Sequence, residues 1–298
     1  MAKQLLGKEV TEAMNRRLQE QVAALKAQGV TPKLAIVRCG ETPSDLAYEK
    51  GAESRAVLIG VEVQKFLLPE DVTKQRLMEV IDQVNADDSI HGCLLLRPLP
   101  GHLRADQDEI CNRLAPAKDV DGMTDLSSAG VFTGKSLGYP PCTPQACMEM
   151  LRHYGIDPKG KRAVVIGRSL VVGKPVAMML LAEHATVTIC HTKTMDIASI
   201  ARQADILISA AGTLGSLTKD FVRPGQVVLD VSVNWDEKKP NARGGLGAMA
   251  GDAVYGEVEP IVAAITPVPG GVGSVTTSVL IGHVVQAAAR TLRQEVSL

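Results

Sequence analysis

The segment that most constrains this chain runs from Gly160 to Pro175, Gly-Lys-Arg-Ala-Val-Val-Ile-Gly-Arg-Ser-Leu-Val-Val-Gly-Lys-Pro. Ala163 to Ile166 contains no polar side chain, the pattern of a parallel strand buried on both faces. Gly167 ends that strand where the chain must turn. Val176 to Leu181 resumes as an apolar helix, with Pro175 near its first turn, where a missing N–H costs nothing. A strand, a glycine turn and a helix N-terminus gather unpaired backbone N–H groups at one point, and a phosphate fits there. Arg168 and Ser169 add a charge and a hydroxyl to the turn. A strand–helix turn with no ligand is the competing reading of these residues alone.

The glycines Gly167 and Gly173 are spaced Gly-x5-Gly, so the Gly-x-Gly-x-x-Gly dinucleotide fingerprint is absent. A nucleoside-triphosphate loop is disfavoured too, because Pro175 stands where a magnesium-binding Ser or Thr belongs. Thr186 to Cys190 is a second strand. An NAD site would place Asp or Glu near its end to hold the ribose 2′-hydroxyl. The chain instead continues His191-Thr192-Lys193-Thr194. Arg168, Thr192 and Lys193 suit a 2′-phosphate, which ranks NADP ahead of NAD.

Alternating strands and helices extend on both sides of this segment. Val10, Met14, Leu18, Val22 and Leu25 form a helical stripe that stops at Gly29. Leu34–Val37, Val61–Leu68 and Cys93–Leu96 are strands, separated by helices over Ser44–Ile59 and from Thr73 to about Asn85. A further helix spans Asp106–Leu114, and Asp119-Val120-Asp121-Gly122 is a turn. Tyr139-Pro-Pro-Cys-Thr-Pro144 is a stiff junction in which Thr143 and Pro144 offer a helix cap and first residue. Beyond Cys190 follow a helix over Ile197–Ala204 and strands at Asp205–Ala210 and Gln226–Val233. Residues 234–252 read as a mobile hairpin or loop, and Ser274 as the cap of a final helix.

The expected fold class is α/β with two layered domains, the second Rossmann-like, and a ligand cleft between them. A net charge of -1 gives no basis for nucleic-acid or membrane-surface binding. No signal peptide or 18-residue apolar span is evident, which argues for a soluble cytoplasmic protein. The six cysteines contain no Cys-x-x-Cys and lie mostly in apolar runs, so they read as buried side chains, not as a metal site. Cys142 has no neighbouring His to make it a nucleophile.

Six segments, in order, resemble the methylenetetrahydrofolate dehydrogenase/methenyltetrahydrofolate cyclohydrolase family. They are Arg97-Pro-Leu-Pro-Gly-His102, Lys118-Asp-Val-Asp-Gly122, Pro141-Cys-Thr-Pro144, Gly167 to Pro175, His191-Thr-Lys-Thr194 and Thr266 to Gly273. The resemblance implies a folate-binding domain over 1–140, an NADP-binding domain over 141–273, and a final helix (274–298) packed back on the first. It also implies a homodimer that uses tetrahydrofolate derivatives. Tyr48 and Asp121 match the family's active-site tyrosine and the carboxylate that anchors the pterin ring. Pro267, Gly270 and Gly271 match a loop beside the folate. Gly167, Arg168, Ser169, Gly173, Thr192 and Val233 match cofactor positions.

Two departures concern chemistry. The family pattern Tyr-x-x-x-Lys becomes Tyr48-Glu-Lys-Gly-Ala52, so alanine stands at the catalytic lysine position. Lys50 is about 200° around the helix from Tyr48 and points elsewhere. Leu96 replaces a glutamine two residues before Pro98. The expectation is therefore an NADP-dependent dehydrogenase with a weak or lost cyclohydrolase step. A fully bifunctional enzyme is the first alternative, and a non-catalytic folate- or nucleotide-binding protein the second. Arg55, on the same helical face as Tyr48, is a further source of positive charge but a poor proton shuttle.

Overall fold

The computed structural model describes residues 1–240 and 245–295. Its strands, in chain order, are β1 (Lys3–Gln4), β2 (Lys33–Cys39), β3 (Glu62–Leu68), β4 (Gly92–Leu95), β5 (Arg162–Ile166) and β6 (Thr186–Cys190). They continue with β7 (Ile206–Ser209), β8 (Val227–Asp230), β9 (Asn234–Pro240), β10 (Leu246–Ala250) and β11 (Ala264–Ile265). The chain divides into two compact units. One comprises Met1–Glu12 with Thr143–Thr276, and the other Ala13–Cys142 with Thr277–Leu298. The N-terminal twelve residues thus leave the 1–140 domain expected from sequence. The reason is local pairing: β1 adds to β11 through the register Lys3↔Ala264 and Gln4↔Ile265.

In the unit of 13–142, β2 lies between β3 and β4, and all pairs are parallel. Leu34, Ala35, Ile36 and Val37 are fully buried, as a two-face-covered strand requires. The loops leaving β2 and β4 start side by side, because Val37 pairs with Leu95. Thr42 opens the helix Pro43–Ile59, its hydroxyl accepting from Asp45 N, and Gly60 closes it at φ 91°. This helix carries Tyr48, and the loop after β4 carries Arg97. Strand order reverses at β2, so both lie at a topological switch point.

The other unit has a six-stranded parallel sheet, order β1-β11-β8-β7-β5-β6. Here β5 is the switch strand. Ile166 pairs with Cys190 on one side and Ser209 on the other, so the loops beginning at Gly167, His191 and Ala210 emerge together. Its aliphatic core includes Val164, Leu207, Val228 and Ile265. The helix Gly173–Ala182 follows the glycine turn with Pro175 buried near its start.

Several local expectations change. Thr143 and Pro144 lie inside the first turn of a helix that already begins at Cys142. Ser274 does not cap the final helix, Thr276–Glu295, because its hydroxyl donates to Gly271 O at 2.7 Å within a preceding 3-10 turn. Asp106–Leu114 is divided into a 3-10 segment, Gly101–Asp106, and a short helix, Gln107–Asn112. A helix at Asp125–Thr133, capped by Thr124, was not expected. The 234–252 stretch forms the antiparallel pair β9–β10, and 241–244 lie outside the described residues. Among the described residues one helical span, 272–292, is long and apolar enough to cross a membrane, but two thirds of it is buried within the structure, as in a core helix.

Candidate functional site

The turn after Val120 carries the first cluster. Gly122 takes φ +69°, and a Cβ there would strike the backbone of Tyr139–Pro141, so only glycine lets the two segments meet. Behind the turn, the His283 ring nitrogen Nδ1 donates to Val120 O at 2.8 Å, and the Cys142 thiol donates to the same carbonyl at 3.4 Å. Asp121 is thereby held on a rigid base, with its side chain 17% exposed. Its one ion-pair partner among the described residues is Arg97, whose Nη2 donates to Oδ2 at 3.0 Å. Burial raises the Asp121 carboxyl, and the Arg97 guanidinium opposes that shift.

Tyr48 belongs to this cluster. Burial pushes its phenol far above the ordinary range, and Asp121 and Cys142 push the same way, while Arg97 opposes them. The hydroxyl therefore stays protonated at neutral pH and acts as a hydrogen-bonding group, not as a base. One turn on, Ala52 is fully buried, and Leu96 is 6% exposed. Neither can pass a proton. Lys50 is exposed, as its helical angle requires. Its neighbour Glu49 is buried and taken up elsewhere, accepting from Arg38 Nε at 2.6 Å and pairing with Lys65 Nζ at 3.1 Å. Burial alone would raise Glu49, but those two cations hold it below the usual carboxylate range.

Two acidic residues of the same turn have different fates. Asp119 is fully buried and accepts from Met123 N, Thr124 N, Thr124 Oγ1 and Ser127 Oγ at 2.6–2.9 Å. Cys142, weighed above as a nucleophile, is buried, and burial lifts its thiol well above the usual value, so it is inert.

The nucleotide turn is built by steric exclusion. Gly167 has φ +128°, and a Cβ there would collide with Ala210 O. A Cβ on Gly173 would collide with Gly167 O. Ser169 Oγ accepts from Val172 N at 3.1 Å and Gly173 N at 3.3 Å. Two of the amides expected to face a ligand are thus satisfied by the protein, and the serine keeps its O–H for an external acceptor. Arg168 is exposed and has no ion pair among the described residues. The strand β6 ends in a turn closed by His191 N donating to Thr194 Oγ1 at 2.9 Å, with Thr192 and Lys193 exposed. The first carboxylate beyond it, Asp196, caps the helix Ile197–Arg202. Val233 is 60% exposed after β8. These groups fit a dinucleotide with an additional phosphate, since cationic and hydroxyl donors are present where an acid would otherwise select a 2′-hydroxyl.

Two carboxylates that the sequence did not single out organise the neighbouring loops. Asp252 is fully buried and accepts from Ser209 Oγ, Ala211 N and Ser232 Oγ at 2.8–2.9 Å, and from Thr213 N at 2.9 Å and Asn234 Nδ2 at 3.2 Å. Asp230, 3% exposed, accepts from Asp252 N and Ala253 N. No motif marks either residue. The usable signal is an acid at the end of an apolar run. Pro267, Gly270 and Gly271 lie in this same unit, in the loop after β11. Gly270 O accepts from Gly7 N at 2.8 Å, and a Cβ on Gly271 would meet Pro267 O at 2.5 Å. Tyr48, Arg97 and Asp121 are brought together in one unit, whereas Pro267, Gly270 and Gly271 fall in the other.

Fold and site define a class: an α/β protein with a nicotinamide-nucleotide-binding unit and a second α/β unit bearing a partly open buried carboxylate. Residues 5–121 match the catalytic-domain model of tetrahydrofolate dehydrogenase/cyclohydrolase, and residues 141–292 match its NAD(P)-binding-domain model. The bifunctional protein FolD of Carboxydothermus hydrogenoformans is 47% identical over 96% of this chain and 97% of its own. The solved bifunctional FolD dehydrogenase/cyclohydrolase of Campylobacter jejuni is 36% identical, with a TM-score of 0.90, covering 98% of this chain and 100% of its own. FolD of Trypanosoma brucei, solved with NADP cofactor and an inhibitor, also gives 0.90 at 32% identity, covering 98% and 99%. The chain belongs to the tetrahydrofolate dehydrogenase/cyclohydrolase family.

Proposed function

We propose that this enzyme oxidises 5,10-methylenetetrahydrofolate with NADP and then hydrolyses the methenyl product to 10-formyltetrahydrofolate. The observation that carries this is the match of both halves, over nearly the whole chain, to proteins named bifunctional. That similarity favours the bifunctional reading over the weak or lost cyclohydrolase expected from Ala52 and Leu96. Residues 13–142 with the final helix would form the folate half, and 143–276 the NADP half. By the same family reading the protein is a cytoplasmic homodimer.

Arg168, Ser169 and Thr192 would hold the phosphates of NADP, whose nicotinamide would supply the acceptor for the hydride of the methylene carbon. Asp121 accepts from the two adjacent donors of the pterin ring, and Tyr48 packs beside it as a neutral hydroxyl. In the second step water adds to the methenyl carbon and releases one proton to solvent; the resulting hydroxyl then gives up its proton as the C–N5 bond breaks, N5 takes up a proton, and the formyl group stays on N10. Ala52 and Leu96 cannot help either proton transfer, so this step depends on the remaining polar cluster.

Separate assays on the purified protein test the proposal. NADPH should form with 5,10-methylenetetrahydrofolate, faster than NADH at equal cofactor. Added methenyltetrahydrofolate should be hydrolysed well above the buffer rate. Hydrolysis at the buffer rate would restrict the function to the dehydrogenase, and absence of NADPH formation would overturn it.

A further inference from the structure

We propose that Arg97 is a specificity-determining residue, which together with Asp121 forms a donor–acceptor edge that reads a 4-oxo pteridine and rejects a 4-amino one. The inference rests on the folate reading given above.

The pair makes a single hydrogen bond, Nη2 to Oδ2 at 3.0 Å. Nη1 makes no hydrogen bond or ion pair among the described residues, and the two side chains remain 24% and 17% exposed. A pair joined in this way, instead of fork to fork, keeps donors on the guanidinium and lone pairs on the carboxylate for a ligand. Both ends stand on rigid elements. Leu96 N donates to Val37 O at 3.0 Å, and Leu99 N donates to Gln107 Oε1 at 2.9 Å, so backbone on both sides of Arg97 is fixed. Asp121 is fixed by the Gly122 turn.

Ala52 and Leu96 offer no side-chain donor, and Tyr48 offers a single O–H, whereas the guanidinium presents several N–H groups beside Asp121. Arg97 Nε is, in addition, buried without an acceptor among the described residues. Orphaned buried donors are destabilising and uncommon, so an arginine kept here at that cost points to use of its other nitrogens.

The chemistry of the ring completes the argument. A 4-oxo pteridine presents, along one edge, the O4 acceptor, the N3–H donor and the 2-amino donor. Asp121 matches the two donors, and an Arg97 N–H beside it matches O4. In a 4-amino derivative the O4 acceptor becomes a donor facing the guanidinium, and N3 loses its proton and faces the carboxylate. Two positions then oppose each other, and sites built on such hydrogen bonds discriminate strongly.

The test is calorimetric binding of tetrahydrofolate and its 4-amino-4-deoxy counterpart to the full-length native protein, Arg97→Leu and Arg97→Lys. Thermal unfolding shows whether each variant is folded. The native protein should prefer the 4-oxo ligand by about 100-fold or more. Arg97→Leu should cut that ratio by about 10-fold or more, and Arg97→Lys should keep most of it. If Arg97 only stabilises the fold, both ligands weaken by the same factor and the ratio stays; that result overturns the proposal. Should Arg97→Leu fail to fold, Arg97→Met takes its place as the variant without a donor: a ratio unchanged from native in that variant overturns the proposal. If the native protein binds no tetrahydrofolate, the folate reading itself fails and takes this inference with it.

Discussion

Asp252 and Asp121 are both acids outside the helices and strands, one in each unit, and their carboxylates are used in opposite ways. Asp252 has five donors and no exposed surface, so its charge is spent on joining the loops after β7 and β8. Asp121 has one cationic partner and keeps part of its carboxylate open. The number of lone pairs left over, not the residue type, separates scaffold from site. Asp119, two residues from Asp121, makes the same point inside a single turn, because its four donors leave nothing for a ligand.

The largest effect should follow from breaking the saturated member. Asp252→Ala leaves several buried donors without an acceptor and should cost roughly 3 kcal/mol or more. Denaturant unfolding should show a clearly lower midpoint, and NADP binding should weaken because the loops are released. An unchanged midpoint would mean that the loops are held by other contacts.

Asp121→Asn should act the other way round, on activity more than on stability. Asparagine keeps the shape but replaces one acceptor by a donor that opposes the ring's own donors. Both half-reactions should fall together by about 10–100-fold, with NADP affinity retained. Native folate affinity in this variant would reduce Asp121 to a turn residue.

Arg168→Ala sharpens the contrast from the exposed nucleotide turn. Loss of one charge-assisted hydrogen bond should weaken NADP by about 1.5–3 kcal/mol and spare NAD. Equal loss for the two cofactors would place Arg168 on a phosphate they share, or outside the site.

The smallest expected effect is a pH dependence from Asp230. Burial lifts its carboxyl to about 6, above the value of an unfolded chain. Between the two values the folded state binds more protons than the unfolded state. This residue's contribution to stability is therefore greatest below about pH 4 and declines as pH rises through 6, by about 2 kcal/mol across the range from about pH 4.5 to 7.5. Chemical unfolding at pH 4.5 and 7.5, compared between the native protein and Asp230→Asn, checks it: the variant should lose this component of the slope.

Much of this was legible in the chain. The run Ala163–Ile166 with Gly167 after it reads as a buried strand and a turn, because no polar side chain interrupts it, and the structure adds that the turn admits no Cβ. Tyr48 and Ala52 share a helical face by their spacing alone. The absence of an acid after Cys190 needed no coordinates. Asp121 was found through its motif, but nothing in Asp119-Val120-Asp121 says which acid is spent internally.

Tertiary structure decided the rest, and for a common reason: each outcome depends on a partner distant in sequence. Arg97 joins the candidate site because Asp121, 24 positions on, meets its guanidinium. Ser169 is partly consumed by amides of the helix it introduces. Asp252 collects donors from segments 18–43 residues away, and the first residues join the later unit through β1–β11 pairing. Local sequence fixes backbone conformation and the faces of helices, because those energies act over a few residues. How many hydrogen bonds a buried carboxylate has already made is a property of the packed chain.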